Sequence, residues 1–506
     1  MVNKIDSNFT GLRYTLEVRG SPKTLPGDPA WLELEPNSYA DFGATTTLKA
    51  RNPIVANRQQ RKGRVVDIEA KAGFSIDFTS DNMLELMPCF FFADWRKASV
   101  AEIDAPTSVV AYNATGPVAG AFDKVASFGG KAVAGSLIST SGFTNAANNG
   151  IFQVSAVAAD SLSVTSHAIV AEAGPPATSV IKVVGFVGAA GDLTIDASNA
   201  AAPALLSTVF DFTTLELIPG QWVYIGGDAG TSAFADEGNN GFARIQAISA
   251  HRMTFDKTQN TMVTDNGAGQ SIEVFMGDFL KNENDPTLIV TQTIQLERSL
   301  SSAGFQYLPG TFCNELTIDM KSADKIELAM TFISLTEEDL DYGDRKTGTF
   351  PDIATDPEAY NTSSDLIRIR SALQGTASPL FAFMQTMSLK IANNVSPLKA
   401  LGVLGAFDTT IGDFIVSGDI TAYFSDLAAV EAVRLADSVS VDFVLALDNR
   451  GWLFDIPELT FDKGTLTVTK DQPITIPVGI NAAEDDTLKT TLMATYFSYL
   501  PDAATA

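Results

Sequence analysis

Residues 315–319 read ELTID and residues 458–462 read ELTFD. In each, apolar and polar side chains alternate, the period of a strand with one buried and one solvated face. The surroundings of the two copies recur in the same order. TTLKARN (46–52) and GRVVDIEAKAGFSIDFTSDNMLELM (63–87) precede the first, after a long interval; MSLKIAN (387–393) and GDFIVSGDITAYFSDLAAVEAV (412–433) precede the second. Three ordered matches make this a duplicated domain whose first copy is interrupted. Period-2 runs over Arg64–Phe78 and Phe414–Phe424 predict strands, and Ser80-Asp81 and Ser425-Asp426 are placed to cap the helices that follow. Further alternating runs, VSVDFVLAL from Val439 and the terminal LMATYFSYLP (492–501), add strands. The order predicts a mainly β fold, a β-sandwich or barrel with a flanking α-helix in each copy.

The interruption differs in composition. Residues 106–280 hold 6 basic and 14 acidic side chains, far sparser than the rest of the chain. A second repeat runs inside it at an offset of 91. Asn148-Asn149-Gly150 matches Asn239-Asn240-Gly241, and Val154 and Val157 match Ile245 and Ile248. Each copy predicts strand, Gly-rich turn, strand, with the Asn-Gly step supplying the positive φ of a hairpin connection. The expected plan is residues 1–105 with 286–345 as the first domain, 106–285 as an inserted all-β module of two small repeats, and 346–506 as the second domain.

With 60 acidic against 34 basic residues the net charge is −26, which repels phosphate backbones and disfavours non-specific nucleic-acid binding. The start, MVNKIDSNFTG, lacks a secretory pattern, and no long uncharged apolar run predicts a membrane span. Cys89 in LMPCFFF and Cys313 in GTFCNEL are expected as buried free thiols. His167 and His251 have no companions at ligand spacing. Asp228, Asp236 and Glu237 do not follow a calcium-loop pattern, and the first Asn-Asn-Gly copy lacks them. No metal, cofactor or catalytic constellation is expected, so the chain reads as a non-enzyme. A carboxylate-dependent glycosidase would need only two acidic residues, but none stand out as a pair.

The two domains, the Gly-Asp strand-helix unit, the ELTxD strand, the low-charge Asn-Asn-Gly module and LMATYFSYLP together resemble the tail tube proteins of long-tailed bacteriophages. The resemblance implies a β-sandwich with a helix, whose sheets join around a pore so that rings of subunits stack into a conduit for the genome. Two domains per chain imply a trimer with pseudo-sixfold symmetry; one per chain would require a hexamer. The implied partners are other copies of the chain, other tail proteins at the tube ends, and phage DNA passing without specific binding, in a virion assembled in the host cytoplasm. Acidic walls suit that passage. The module is expected to point outward, which favours a non-contractile, siphovirus-like tail. The alternative is a secreted or surface adhesin of tandem β domains with the Asn-Asn-Gly module as its binding part; the missing secretory pattern counts against it.

The densest basic stretch, ANRQQRKGR (56–64), supplies Arg58, Arg61, Lys62 and Arg64. It is expected to be either a solvated loop or a ring-to-ring contact. Its acidic partner would be Glu337, Glu338, Asp339 and Asp341, or Glu484, Asp485 and Asp486. The turn-rich stretch 341–364 reads as an arm or linker.

Overall fold

Both ELTxD segments are strands of one continuous sheet. The computed structural model describes residues 10–505 except 55–58, 60, 97–102, 105–107, 111–119, 125–131, 166–168, 302–303, 339–344, 352–357, 375–378, 382 and 425–426. Arg58, His167, Asp339, Asp341 and the Ser425-Asp426 pair lie outside the described residues.

The body of the molecule comprises β1 (Gly11–Leu16), β2 (Leu32–Leu34), β3 (Pro36–Ala50), β4 (Gly63–Asp77), α1 (Leu86–Phe91), β5 (Ile294–Ser299), β6 (Phe305–Lys321), β7 (Glu327–Ser334), β8 (Leu366–Leu373), β9 (Met384–Ala392), β10 (Ile415–Tyr423), α2 (Ala428–Leu435), β11 (Val439–Leu447), β12 (Arg450–Lys463), β13 (Thr475–Ala483) and β14 (Met493–Phe497). Eight strands run side by side as β3-β4-β7-β6-β9-β10-β13-β12, antiparallel throughout. The order is one four-strand unit used twice. In the first half β5 bridges β6 and β1; in the second, β11 bridges β12 and β8.

Alternation decides which face is buried. Leu316, Ile318 and Met320 of β6 point into the core with Leu328, Met330, Phe74, Leu389, Ile391, Leu459 and Phe461, all nearly inaccessible to solvent. Phe74 stacks on Phe332 at 5.1 Å. The helix α1 closes this core with Leu86, Met87, Cys89, Phe90 and Phe91. Cys89 and Cys313 are both buried and free, and burial followed by its neighbour Cys89 pushes the Cys313 thiol well up.

Two local expectations change. Ser80-Asp81 does not cap α1, whose N-cap is Glu85 without a side-chain bond; Asp81 is drawn instead to Arg450 at 2.7 Å and to the Tyr496 hydroxyl at 3.1 Å. A tertiary ion pair has outcompeted a local cap. The TTLKARN match is also displaced. Across the sheet, Thr317 aligns with Ala329, Ser75 and Ser38, whereas Thr460 aligns with Asn481, Ser417 and Lys390. The counterpart of Lys390 is therefore Ser38 and not Lys49. Residues 46–50 lie instead on the exposed outer part of the β3–β4 hairpin, beyond the end of β7, where Ser334 faces Ala70.

The inserted module has its own core, including Phe122, Phe152, Val154, Ile181, Phe186, Val223, Ile245, Phe255 and Val274. Its repeated Asn-Asn-Gly lies in the connections between strands Ser136–Ser141 and Gly150–Val157 and between Trp222–Ile225 and Gly241–Ser249. The asparagines do more there than bend the chain. Asn148 is fully buried; its Nδ2 donates to Val170 O at 2.9 Å and its Oδ1 accepts from Val170 N at 2.8 Å. Asn239 accepts likewise from Val263 N at 2.8 Å. Asn149 pairs with both backbone groups of Phe143, and Asn240 with those of Phe234, each bond 2.9 Å. The side-chain amides stand in for a missing strand neighbour and satisfy backbone groups that would otherwise be stranded. Gly150 and Gly241 follow with φ of 140° and 122°.

Candidate functional site

One face of the eight-strand sheet carries no core. Glu315, Thr317 and Asp319 on β6, Ser388 and Lys390 on β9, Ser417, Asp419 and Thr421 on β10, and Glu458, Thr460 and Asp462 on β12 point away from the buried side chains. It is a polar face rich in hydroxyls, with carboxylates in excess. Three lysines are tied to carboxylates, Lys390 to Glu315 at 2.8 Å, Lys325 to Asp77 at 2.6 Å, and Lys463 to Asp419, whereas Lys321 at the end of β6 is exposed with no ion pair among the described residues.

The two halves meet on this face through a complete strand junction. Glu315–Lys321 of β6 pairs with Thr386–Ala392 of β9, with Thr317 opposite Lys390. Ser388 Oγ donates to Asp319 Oδ1 at 2.6 Å across it. The same two edges recur at the outside of the sheet without partners among the described residues. Leu459 is paired on both sides, to Val439 and Ala482, but from Thr460 to Lys463 β12 has β13 alone. At the far side β3 pairs only with β4. There the Phe42 carbonyl and Ala44 N–H are engaged by Arg298 and Glu337 side chains, leaving Pro36–Asp41 as open edge. Each chain thus holds one closed junction and both halves of a second.

The described part of the basic stretch, 61–64, lies at one end of the sheet. Arg61, Lys62 and Arg64 are exposed there, at the outer end of the β3–β4 hairpin. The acidic candidates that are described lie at this same end, since Glu337 and Glu338 follow β7 and Glu484–Asp486 follow β13. Most are engaged at home. Glu337 accepts from Ala44 N at 2.6 Å and from Gln306; Glu338 from Lys346 at 2.7 Å. Asp485 is buried and caps a turn through Thr487 N at 2.8 Å and Leu488 N at 2.7 Å; Glu484 accepts from Asn284 at 3.2 Å. Asp486 is fully exposed, 3.7 Å from Lys489. Within one chain no ion pair joins the basic loop to any of them among the described residues. The arm expected over 341–364 lies on its own chain where it is described: Arg345 pairs with buried Glu297 and stacks 3.8 Å from the Phe350 ring, and Thr349 bridges to Ala30.

What the sequence reading did not find is how the module is held. Asp455 on β12 is fully buried and accepts from Arg244 Nη1 at 2.8 Å, Trp222 Nε1 at 2.9 Å and Lys257 Nζ at 3.1 Å, all three from the module. Arg244 is also forked onto Asp256 at 2.8 and 2.9 Å. Beside it Arg368 bonds Asp442 at 2.6 Å and lies 5.6 Å over the Trp222 ring. Around these charges Trp222, Tyr224, Phe242 and Phe275 pack on Val444, Leu453, Phe497 and Leu500. The module is docked on the second half, although it is inserted in the first. The available signal was slight: charges at inward positions of strands in a stretch otherwise poor in charge.

His251 is exposed and in contact with the Phe210 carbonyl at 3.0 Å; Asp236 caps a turn through Gly238 N at 2.9 Å, and Asp228 accepts from Ala503 N at 2.9 Å. No helix among the described residues is long and apolar enough to cross a membrane, and no group of three or more His, Cys, Asp or Glu there could hold a metal. Residues 17–482 match a family model described as phage tail tube protein. No curated protein matches the chain.

Proposed function

The chain belongs to the phage tail tube protein family, and from that premise we propose that it closes into rings through the open edges of its eight-strand sheet, the rings stacking into the conduit of a non-contractile tail. The carrying observation is the β6–β9 junction. It joins two four-strand units edge to edge inside one chain, while β12 and β3 offer the same two edges outward. Repeating that junction between chains places Thr460 of one opposite Ser38 of the next. Antiparallel edges left open invite uncontrolled pairing, and closure removes them.

Two four-strand units per chain favour a trimer with pseudo-sixfold symmetry over a hexamer. Three chains would line the bore with about 24 strands, a circumference of roughly 115 Å at ~4.8 Å per strand. The open polar face then becomes the wall. Its carboxylates repel phosphates, and those of its lysines that are held in ion pairs give DNA little to grip. On this reading residues 1–105 with 286–345 form the first tube domain, 346–506 the second, and 106–285 an outward module. The partners are further copies, the proteins at the tube ends, and transiting DNA; assembly takes place in the host cytoplasm, and no catalytic step is ascribed to the chain. The basic stretch Arg58–Arg64, whose described residues Arg61, Lys62 and Arg64 are exposed at the outer end of the β3–β4 hairpin, is assigned to the ring-to-ring contact.

Negative-stain microscopy of the purified protein across a salt series tests this. Threefold rings or tubes that appear as screening weakens the −26 self-repulsion are expected. Monomers at every ionic strength, including in the presence of preformed tail tips, would refute it.

A further inference from the structure

The two ends of the sheet differ in shape. At the end that carries the basic stretch, a groove of about 500 Å³ opens between the first and second halves, lined by Phe312, Leu335, Phe407 and Ile411 together with three threonines, with Lys23 and Asp408 among its walls. Phe407 is 51% exposed, and the loop leading to it presents Leu401 at 104% and Leu404 at 52%. Such a cluster is more apolar surface than scattered exposed side chains account for. At the other end, the β12–β13 turn, 464–474, is longer than its counterpart between β6 and β7 and is exposed throughout 467–474. It carries Val468 at 72% exposure, followed by Lys470 and Asp471.

We propose that the β12–β13 turn of one copy seats in this groove at the opposite end of a second copy, so that each ring is keyed to the next. Strand direction puts turn and groove at opposite ends: β9 runs toward the groove-side loop and β10 back from it, while β12 runs away and β13 returns. A contact between two different surfaces at opposite ends of one molecule does not close on itself but propagates as a stack. The occupant is a second copy because the chain supplies both parts with matched chemistry. Val468 meets the exposed Phe407 side chain, and the Lys470-Asp471 pair meets one anion, Asp408, and one cation, Lys23. This inference rests on the tube reading.

The test uses the full chain under conditions where the wild type forms tubes. Val468→Asp is expected to leave folded rings that stack poorly, with mean tube length reduced about tenfold or more, which for an open linear stack corresponds to roughly a hundredfold loss in the stacking constant. Val468→Cys with Phe407→Cys is expected to oxidise into covalent oligomers extending beyond one ring. Wild-type-length tubes from V468D, or no cross-link in the double-cysteine tubes, would overturn the inference and leave the tube reading intact. Absence of tubes from the wild type itself would overturn both.

Discussion

Arg244 of the inserted module places Nη1 2.8 Å from Oδ2 of Asp455, a β12 residue with no exposure to solvent. The carboxylate also takes Lys257 and Trp222. Removing it strands buried Lys257 and leaves Arg244 with Asp256 alone. Asp455→Ala is expected to destabilise the chain by about 3–5 kcal/mol, read as a lower denaturation midpoint in urea. A loss below about 1 kcal/mol, the worth of a surface pair, would show the cluster to be solvated.

The same carboxylate sets a pH dependence. Burial works to raise its pKa, but Lys257 and Arg244 outweigh burial and hold it down to about 2. A depressed carboxylate contributes stability that is complete above the ordinary range and is lost as pH falls through the folded value. Thermal melts should therefore show a loss between roughly pH 4 and pH 2 that is missing in Asp455→Asn. An identical acid profile in that variant would assign the loss to other carboxylates.

Deleting residues 106–285 and closing the gap with a short linker is expected to give aggregated protein. The cut uncovers Val444, Leu453, Phe497 and Leu500 and removes the cations that Asp455 pairs with. Size-exclusion chromatography decides it. Recovery of monodisperse protein would mean the docked face is dispensable and the module a detachable decoration.

The two asparagines of each Asn-Asn-Gly hold different things. Asn148 is fully buried and bonds both backbone groups of Val170. Asn148→Ala leaves those groups unpaired in the interior and should cost about 1–3 kcal/mol. Asn149→Ala, at an exposed position where water can replace the lost bonds, should cost less. Calorimetric melts that rank the two the other way would contradict this account.

The ring junction makes a register prediction. Ser38→Cys with Thr460→Cys should form a disulfide between subunits in assembled rings, because paired residues on antiparallel neighbours lie within disulfide reach. Thr317→Cys with Lys390→Cys should form the equivalent bond within one chain. Cross-linking only after a shift of the partner position by several residues would replace the register while keeping the edge pairing.

Much of the fold was legible from local pattern. Alternation in ELTID and ELTFD marked strands, said which side chains faced the core, and left Glu315, Asp319, Glu458 and Asp462 on the polar face. The recurring ELTxD lies at equivalent places in the two four-strand runs of the sheet, and the charge-poor stretch holds a core cluster of its own. Strand and face follow from the side-chain period of a strand, which each segment carries in itself.

Other features depended on residues far apart in the chain. TTLKARN looks like MSLKIAN, yet the sheet aligns Lys390 with Ser38, because the first hairpin is longer and register is decided by the whole ladder. Ser80-Asp81 had the makings of a cap, but Arg450 and Tyr496 claimed the carboxylate. Glu337, Glu338 and Glu484–Asp486 looked like partners for Arg61, Lys62 and Arg64, and only the strand directions show that they share one end. Asp455, Arg244 and Lys257 are unremarkable in sequence and become a buried cluster when β12 meets the module. The sequence by itself determined the strands, their buried faces and the repeat, through interactions within a few residues. Register, edges, ends and docking were decided by the tertiary structure, because they arise from burial and charge compensation between segments that meet only in the folded chain.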